Sequence, residues 1–352
     1  MIKKAFCVLC AAVLTAALAS CSSKDESSQK KVSYDTEFKT ADSFVLPTTP
    51  PMCDYTYTMA QVDTAKINDL VELVHGSGAY GKGNLTENKV QIMGMEDQND
   101  AQWYDENAQT SAHLEQMGSF SLFKGKYSLK YTEEEQQGFK TARVIYAEDF
   151  DEKVTLDGKS VAYSTLTLDA QETLYDCFEL LGVPLEVTPL RAVETADESG
   201  KVINTTIEYS VKFGTGVMTS EAFYDLGDSP LGASFASLAY PDIHTYYYTP
   251  DEIQGVWAFN CLIDNVQQGE TISSPMQAEE AMKLIEDKVE GKPSDYTLMH
   301  CQLEYRPVSE KNGVITASPF WAFYYRNSEG KDTIIAVNVK TKETLTHEVG
   351  DK

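Results

Sequence analysis

Two short strings in the chain spell catalytic motifs. Gly76-Ser77-Gly78-Ala79-Tyr80-Gly81 has the order G-x-G-x-x-G, and Ser121-Leu122-Phe123-Lys124 has the order S-x-x-K. A glycine-rich turn cradles a dinucleotide only where it follows a strand and opens a helix, so that the helix N-terminus meets the pyrophosphate. Here it follows Ile67, Leu70, Val71 and Val74, which have helical spacing, with Asp63 or Thr64 placed to cap that helix. It therefore reads as a loop after a helix. An acyl-accepting serine of the S-x-x-K type also needs Ser-Asp-Asn and Lys-Thr-Gly elements, and neither string occurs. Alternating Phe120 and Leu122 make this segment the end of a strand.

Metal chemistry is no better supported. His75, His113, His244, His300 and His347 form no H-e-x-x-H pattern and no pair with Cys or carboxylate at ligand spacing. His300 and Cys301 are neighbours on an alternating segment, so they point to opposite faces and cannot share an ion. Asp97, Asn99 and Asp100, and also Asp149, Asp151 and Glu152, are carboxylate-rich loops without the order of a calcium hand. No metal and no cofactor is expected. Cys177, Cys261 and Cys301 alternate or repeat with apolar neighbours, which suits small buried hydrophobes, although export would also permit bridges among them and Cys53. Of the 20 tyrosines, Tyr246 and Tyr248 are candidates for a partner or ligand surface. An alternating strand would bury Tyr247 and leave those two outside, where a flat ring with a hydroxyl suits sugar or peptide contact.

The clearest signal is at the N-terminus. Lys3 and Lys4 precede an uncharged stretch from Ala5 to Leu18, which is too short to span a bilayer and has the size of a signal-peptide core. It ends in Leu18-Ala19-Ser20-Cys21, followed by Ser22-Ser23-Lys24-Asp25. This order resembles the bacterial lipobox. The resemblance implies cleavage between Ser20 and Cys21 and diacylglycerol on the Cys21 thiol. Two acyl chains give a stable anchor where one gives a marginal one. The chain is then expected at the outer face of the cell membrane, held to the bilayer through Cys21. Cleavage would remove Lys3 and Lys4 and take the formal charge from −25 to −27. Such acidity argues against nucleic-acid binding, because phosphate affinity comes from clustered Lys and Arg.

Residues 1–20 thus read as signal peptide and residues 21–45, polar until Pro47, as a flexible tether. What remains is near the upper limit for one hydrophobic core, which predicts two domains, 46–265 and 266–352. Tyr55, Tyr57 and Met59 alternate as a strand. Residues 76–112 are rich in Gly, Asn, Asp and Gln and read as long loops. Phe120, Leu122, Tyr127, Leu129 and Tyr131 suggest a hairpin turning at 124–126, and Asp157-Gly158 a second between Lys153–Leu156 and Val161–Thr165. A helix is predicted from an Asp169 cap, with Ala170, Leu174, Cys177, Phe178 and Leu181 as its stripe and Gly182 with Pro184 as its stop. Strands follow, with a turn at 198–200 and alternation at Ile207, Tyr209, Val211 and Phe213. The plan then repeats: Ser274 as cap, Pro275 first in the helix, Gln277 closing a capping box, and a stripe of Ala278, Ala281, Met282, Ile285 and Val289 up to Gly291 and Pro293. Strands Thr297–Arg306, Phe320–Arg326, Thr333–Val339 and Glu343–Glu348 come next. A helix before a meander implies an α+β fold of mainly antiparallel sheet with helices packed on one face.

Within the last segment, Ala278-Glu279-Glu280-Ala281, Leu303-Glu304-Tyr305-Arg306-Pro307, Pro319-Phe320-Trp321-Ala322-Phe323 and Val337-Asn338-Val339-Lys340-Thr341 form a pattern. It resembles the C-terminal module of extracytoplasmic regulators of the YycH and YycI kind and, more loosely, PepSY domains. The chain as a whole resembles the uncharacterised lipoproteins of Firmicutes. Where those modules carry an Asn-Ala-x-Thr-Gly-Glu turn, this chain reads Asn338-Val339-Lys340-Thr341-Lys342-Glu343. The resemblance implies a non-enzymatic module that binds or regulates an extracytoplasmic protein, and it carries over no functional residues. The alternative expectation is a lipoprotein that captures a sugar or peptide and serves a transporter; hairpin spacing speaks against the parallel sheets of bilobed solute-binding proteins.

Overall fold

The long β16–β17 hairpin (Thr297–Lys311 and Val314–Arg326) is the spine on which the second half of the chain is built. The computed structural model describes residues 34–75, 84–90, 98–105, 110–124, 138–219, 242–247, 257–260 and 262–348. Asn312 and Gly313 both take left-handed φ at the hairpin's tip, 54° and 79°, as the Asn-Gly spelling predicts. On one side of β17 lie β18 (Asp332–Asn338) and then β19 (Thr344–Glu348). The same side further along pairs with β2 (Cys53–Met59) and then β15 (Ile263–Thr271). Two short parallel pairings, β1 (Lys39–Thr40) and β12 (Gly216–Met218), line the outer edge of β16.

The other sheet is antiparallel throughout, in the order β3 (Asn84–Val90), β4 (Gln98–Asp105), β5 (Thr110–Glu115), β6 (Ser119–Lys124), β14 (Trp257–Asn260), β13 (Asp242–Tyr247), β11 (Val202–Phe213), β10 (Val187–Ala196) and β7 (Lys140–Tyr146). Its last two β11 residues, Lys212 and Phe213, leave this sheet and pair with Val217 and Gly216. One strand thereby feeds both sheets. The fold is mostly strand with few helices, compatible with the α+β expectation. Residues 36–352 hold together as one compact unit. The boundary expected at 265/266 falls inside β15, and β2, from the first expected domain, pairs with β15 on one side and with β17, from the second, on the other.

Several elements start elsewhere than predicted, for physical reasons. Residues 36–45, placed in the tether on composition, belong to the body: Phe38 and Phe44 are buried and β1 pairs with Thr297 and Leu298. The expected loops at 76–112 include β3, β4 and the first half of β5; along β4 and β5 the buried apolar residues Ala101, Trp103, Ala112 and Leu114 fall at alternate positions. Helix α1 (Ile67–His75) follows a single turn capped by Asp63, whose carboxylate accepts from the Ala65 amide at 3.0 Å. Helix α2 (Tyr163–Leu181) begins before the expected Asp169 cap, because Tyr163 and Leu166 extend the buried stripe of Ala170, Leu174, Cys177 and Phe178. It ends as predicted on Gly182, at φ 75°. The Asp157-Gly158 hairpin joins β8 (Lys153–Leu156) to β9 (Lys159–Ala162), a shorter second arm than expected since α2 claims the rest. Helix α3 (Ala278–Glu286) starts from Gln277; Ser274 has φ 62° and cannot cap it, and the helix stops before Gly291. The expected partner arm of β6 at 127–131 lies outside the described residues.

The turn that lacks the resembling families' glycine keeps a left-handed conformation nonetheless. Lys342 sits at φ 65°, while the Asn338 carboxamide accepts from the amides of Lys340 and Thr341 at 2.9 and 3.1 Å. A side chain there works against the backbone, since left-handed φ is costly for residues with a Cβ. Lys342→Gly is expected to raise stability by about 0.5–1 kcal/mol, read as a shift in the urea midpoint at unchanged slope.

Helices α1 and α2 pack on each other and on the antiparallel sheet, where Phe178 meets Phe259 edge-on at 5.3 Å. Helix α3 packs on β17 and β18, and the Trp321 indole donates to the Met276 carbonyl at 2.8 Å just before it. The opposite face of that sheet carries Phe320, Ala322, Tyr324, Ile334 and Ala336, and it is closed by Tyr146 and Val144 of β7. This second face holds the polar groups described next.

Candidate functional site

After a bulge at Met299, strand β16 presents His300, Gln302, Glu304 and Arg306 to the β7 side and Cys301, Leu303 and Tyr305 to the α3 side. Three of these four polar residues are buried and Gln302 is half-buried. His300 is 8% exposed, Glu304 0% and Arg306 2%. Burying such groups is tolerated only where their charges are matched, and here neighbours along the row pair with one another. The Glu304 carboxylate accepts from the Gln302 amide at 2.8 Å, from the Tyr324 hydroxyl and from the Arg306 guanidinium. Gln302 turns its oxygen toward His300 Nε2 at 3.2 Å. His300 Nδ1 meets the Glu148 carboxylate at 2.5 Å. Tyr146 stacks on the imidazole, with ring centroids 5.4 Å apart and planes 13° from parallel.

Glu148 lies on the single turn at 147–149 that follows β7, with its side chain 39% exposed. Burial alone would raise its carboxyl; the His300 hydrogen bond and charge outweigh that and hold it below its ordinary 4.5. A carboxyl depressed by folding adds stability above its unfolded value and loses it as pH falls through the folded one.

The same β7 segment is fixed to both sheets. Arg143 bonds Glu152 at 2.8 Å and the Tyr163 hydroxyl at 3.2 Å, and lies 3.5 Å from Glu194 on β10. Burial, and then its own bond to Glu194, push the Tyr163 phenol well up. On the other side Arg326 grips Asp332 through two bonds, 2.6 and 3.0 Å, and donates to the Val144 carbonyl at 3.2 Å. Asp149, next to Glu148, accepts from Ser43 at 2.9 Å. Chemically, this is a charge-balanced relay of alternating donors and acceptors in which each member fixes its neighbour's orientation.

Sequence reasoning passed over this row. His300, Gln302, Glu304 and Arg306 at period two look like the solvent face of a half-buried strand, and their cover comes from residues some 150 positions earlier. The available signal was weaker: the alternate positions were equally apolar, and the polar row continued opposite Tyr324. Other candidates fall apart from one another. His113 bonds Asp100 on the paired β4 strand, so Asn99 and Asp100 belong to a strand rather than a calcium loop. Among the described residues no group of three His, Cys, Asp or Glu could hold a metal ion. Ser121 lies mid-strand between β5 and β14. Cys53, Cys177 and Cys301 are buried free thiols, and burial pushes Cys177 and Cys301 up, away from reactivity. Tyr247 is buried with its hydroxyl on the Leu166 carbonyl at 2.6 Å, and Tyr246 sits on β13 opposite Thr206. Ser20, Cys21, residues 76–81, Cys261 and Tyr248 lie outside the described residues.

No family model matches the chain, and no curated protein matches it. Among solved structures, it is similar to an uncharacterised protein from Eubacterium rectale, with a TM-score of 0.51 and 12% identity over 88% of each chain. It is also similar to the C-terminal domain of YpeB from Bacillus megaterium, with a TM-score of 0.41 and 9% identity over 83% of this chain and 100% of that one. The first of these shows a shared fold and nothing about activity.

Proposed function

We propose that this chain is a lipid-anchored protein of the outer membrane face whose body serves as a non-enzymatic module that binds or regulates a protein partner there. The observation that carries the reading is the N-terminal order Lys3-Lys4, an uncharged stretch to Leu18, then Ala19-Ser20-Cys21. The body adds two supports. It begins at Thr36, where the Thr36 hydroxyl and the Glu37 amide both bond Glu286 at 2.5 and 2.8 Å, so residues 22–35 separate anchor from body. Fully extended, a stretch of that length reaches about 50 Å. The relay is largely buried and its members bond to one another, which suits a positioning role better than turnover.

The test replaces Cys21 by serine in the full chain. The parent is expected in the membrane fraction and labelled by palmitate; Cys21→Ser is expected unlabelled and out of that fraction, a near-complete shift given what two acyl chains contribute. A variant that fractionates and labels like the parent would overturn the anchoring. Crosslinking on intact cells then reads the second half: one specific protein joined to the anchored chain supports it, and a small ligand retained instead would replace it.

A further inference from the structure

The hydrogen-bond pattern around His300 sets its proton count. Glu304 can only accept, so the Gln302 nitrogen, at 2.8 Å from it, must be the amide's donor end, and the oxygen faces His300 Nε2. Nε2 must then donate. Nδ1 faces a carboxylate at 2.5 Å and must donate as well. Both nitrogens carry hydrogen only in the imidazolium. Removing that proton sets a ring lone pair against an oxygen lone pair, while protonating Glu148 removes the charge that holds the ring.

We propose that Glu148 and His300 form a pH-sensitive clasp that holds the turn after β7 onto the second sheet while the Glu148 carboxylate is ionised and both ring nitrogens of His300 carry hydrogen. The groups facing His300 are Glu148 from the turn after β7, Tyr146 from β7, Tyr324 from β17, and Gln302 with Glu304 beyond it on its own strand. Arg306 lies past Glu304, and Arg326 with Asp332 lies beyond Tyr146. Of these, Glu148 is the ionisable group on a separate, partly exposed element. Its release frees the turn at 147–149, while the Tyr146 hydroxyl still reaches Asp332 at 3.5 Å and the Arg326–Asp332 pair still holds Val144. The moving part is therefore local. The inference does not depend on lipidation.

Amide hydrogen exchange on the full chain tests it, with rates corrected for intrinsic pH dependence, at about pH 3, 6 and 8.5, the lowest chosen below the ordinary carboxylate range because His300 holds the Glu148 carboxyl down. Protection at residues 145–150 is expected to peak near pH 6 and to fall on the order of tenfold on either side, while residues 320–325 stay constant. Glu148→Gln and His300→Gln should each flatten that profile. Because Glu148 is partly exposed, its variant folds even where the His300 variant does not. A parent profile flat with pH, an equal loss at residues 320–325, or a peak that persists in Glu148→Gln would each overturn the clasp.

Discussion

Glu304→Ala is expected to cost about 3–5 kcal/mol of folding stability, because it breaks a buried ion pair by removing one side only. The carboxylate is fully buried and joins Arg306, Tyr324 and Gln302. Deleting it takes the Glu304 charge away from a guanidinium that is 2% exposed and removes the nearer of two acceptors of the Gln302 amide. That second loss reaches His300, since the Gln302 oxygen would no longer be held toward Nε2. Typical domains have about 5–15 kcal/mol in total, so the variant should be marginal. Urea unfolding at neutral pH reads the effect. A change below about 1 kcal/mol would show that the relay is solvated rather than buried. The double variant Glu304→Leu/Arg306→Met separates charge from packing: replacing both partners by apolar groups of similar size is expected to recover most of the loss.

The parts of the fold written locally were legible. Asp157-Gly158 and Asn312-Gly313 take left-handed φ as their spelling requires, and Ile207, Tyr209, Val211 and Phe213 are all buried, as alternation predicts. Where sequence reading erred, a distant element had changed the meaning of a local pattern. Helix α2 starts at Tyr163 in spite of β-branched Thr165 and Thr167, because the first turn buries Tyr163 and Leu166 against other elements. Strand β4 is spelled Gln-Asn-Asp-Ala-Gln-Trp-Tyr-Asp, and pairing on both sides satisfies a backbone that its composition alone would assign to a loop. The same holds for the relay. The members on β16 and β17 sit at predicted strand positions, yet whether a polar row faces water or a second sheet is decided by Glu148 and Tyr146, which no periodicity on β16 can announce. Polar strands are thus the ambiguous case, since period two fixes which residues share a face but not what covers it.

The apolar face of the same sheet bears the other large expected effect. Trp321 is fully buried between Leu303 and Val337 on the flanking strands, and its indole nitrogen donates to the Met276 carbonyl at 2.8 Å. Trp321→Ala removes the largest side chain of this core and leaves both a cavity and a carbonyl that must find another donor. The expected loss is about 3–5 kcal/mol. Trp321→Phe keeps much of the volume and isolates the hydrogen bond, with an expected cost of about 1–2 kcal/mol. The position matters beyond stability, because Met276 leads into α3, and Glu286 at the end of α3 receives Thr36 and Glu37 where the chain enters the body. If Trp321 seats α3, then in Trp321→Phe exchange should quicken at residues 278–286 and at 36–40 together, with β10 and β11 unaffected. Exchange that rises at residues 278–286 alone would separate the entry point from the helix, and uniform acceleration would mean that the substitution acts only through global unfolding.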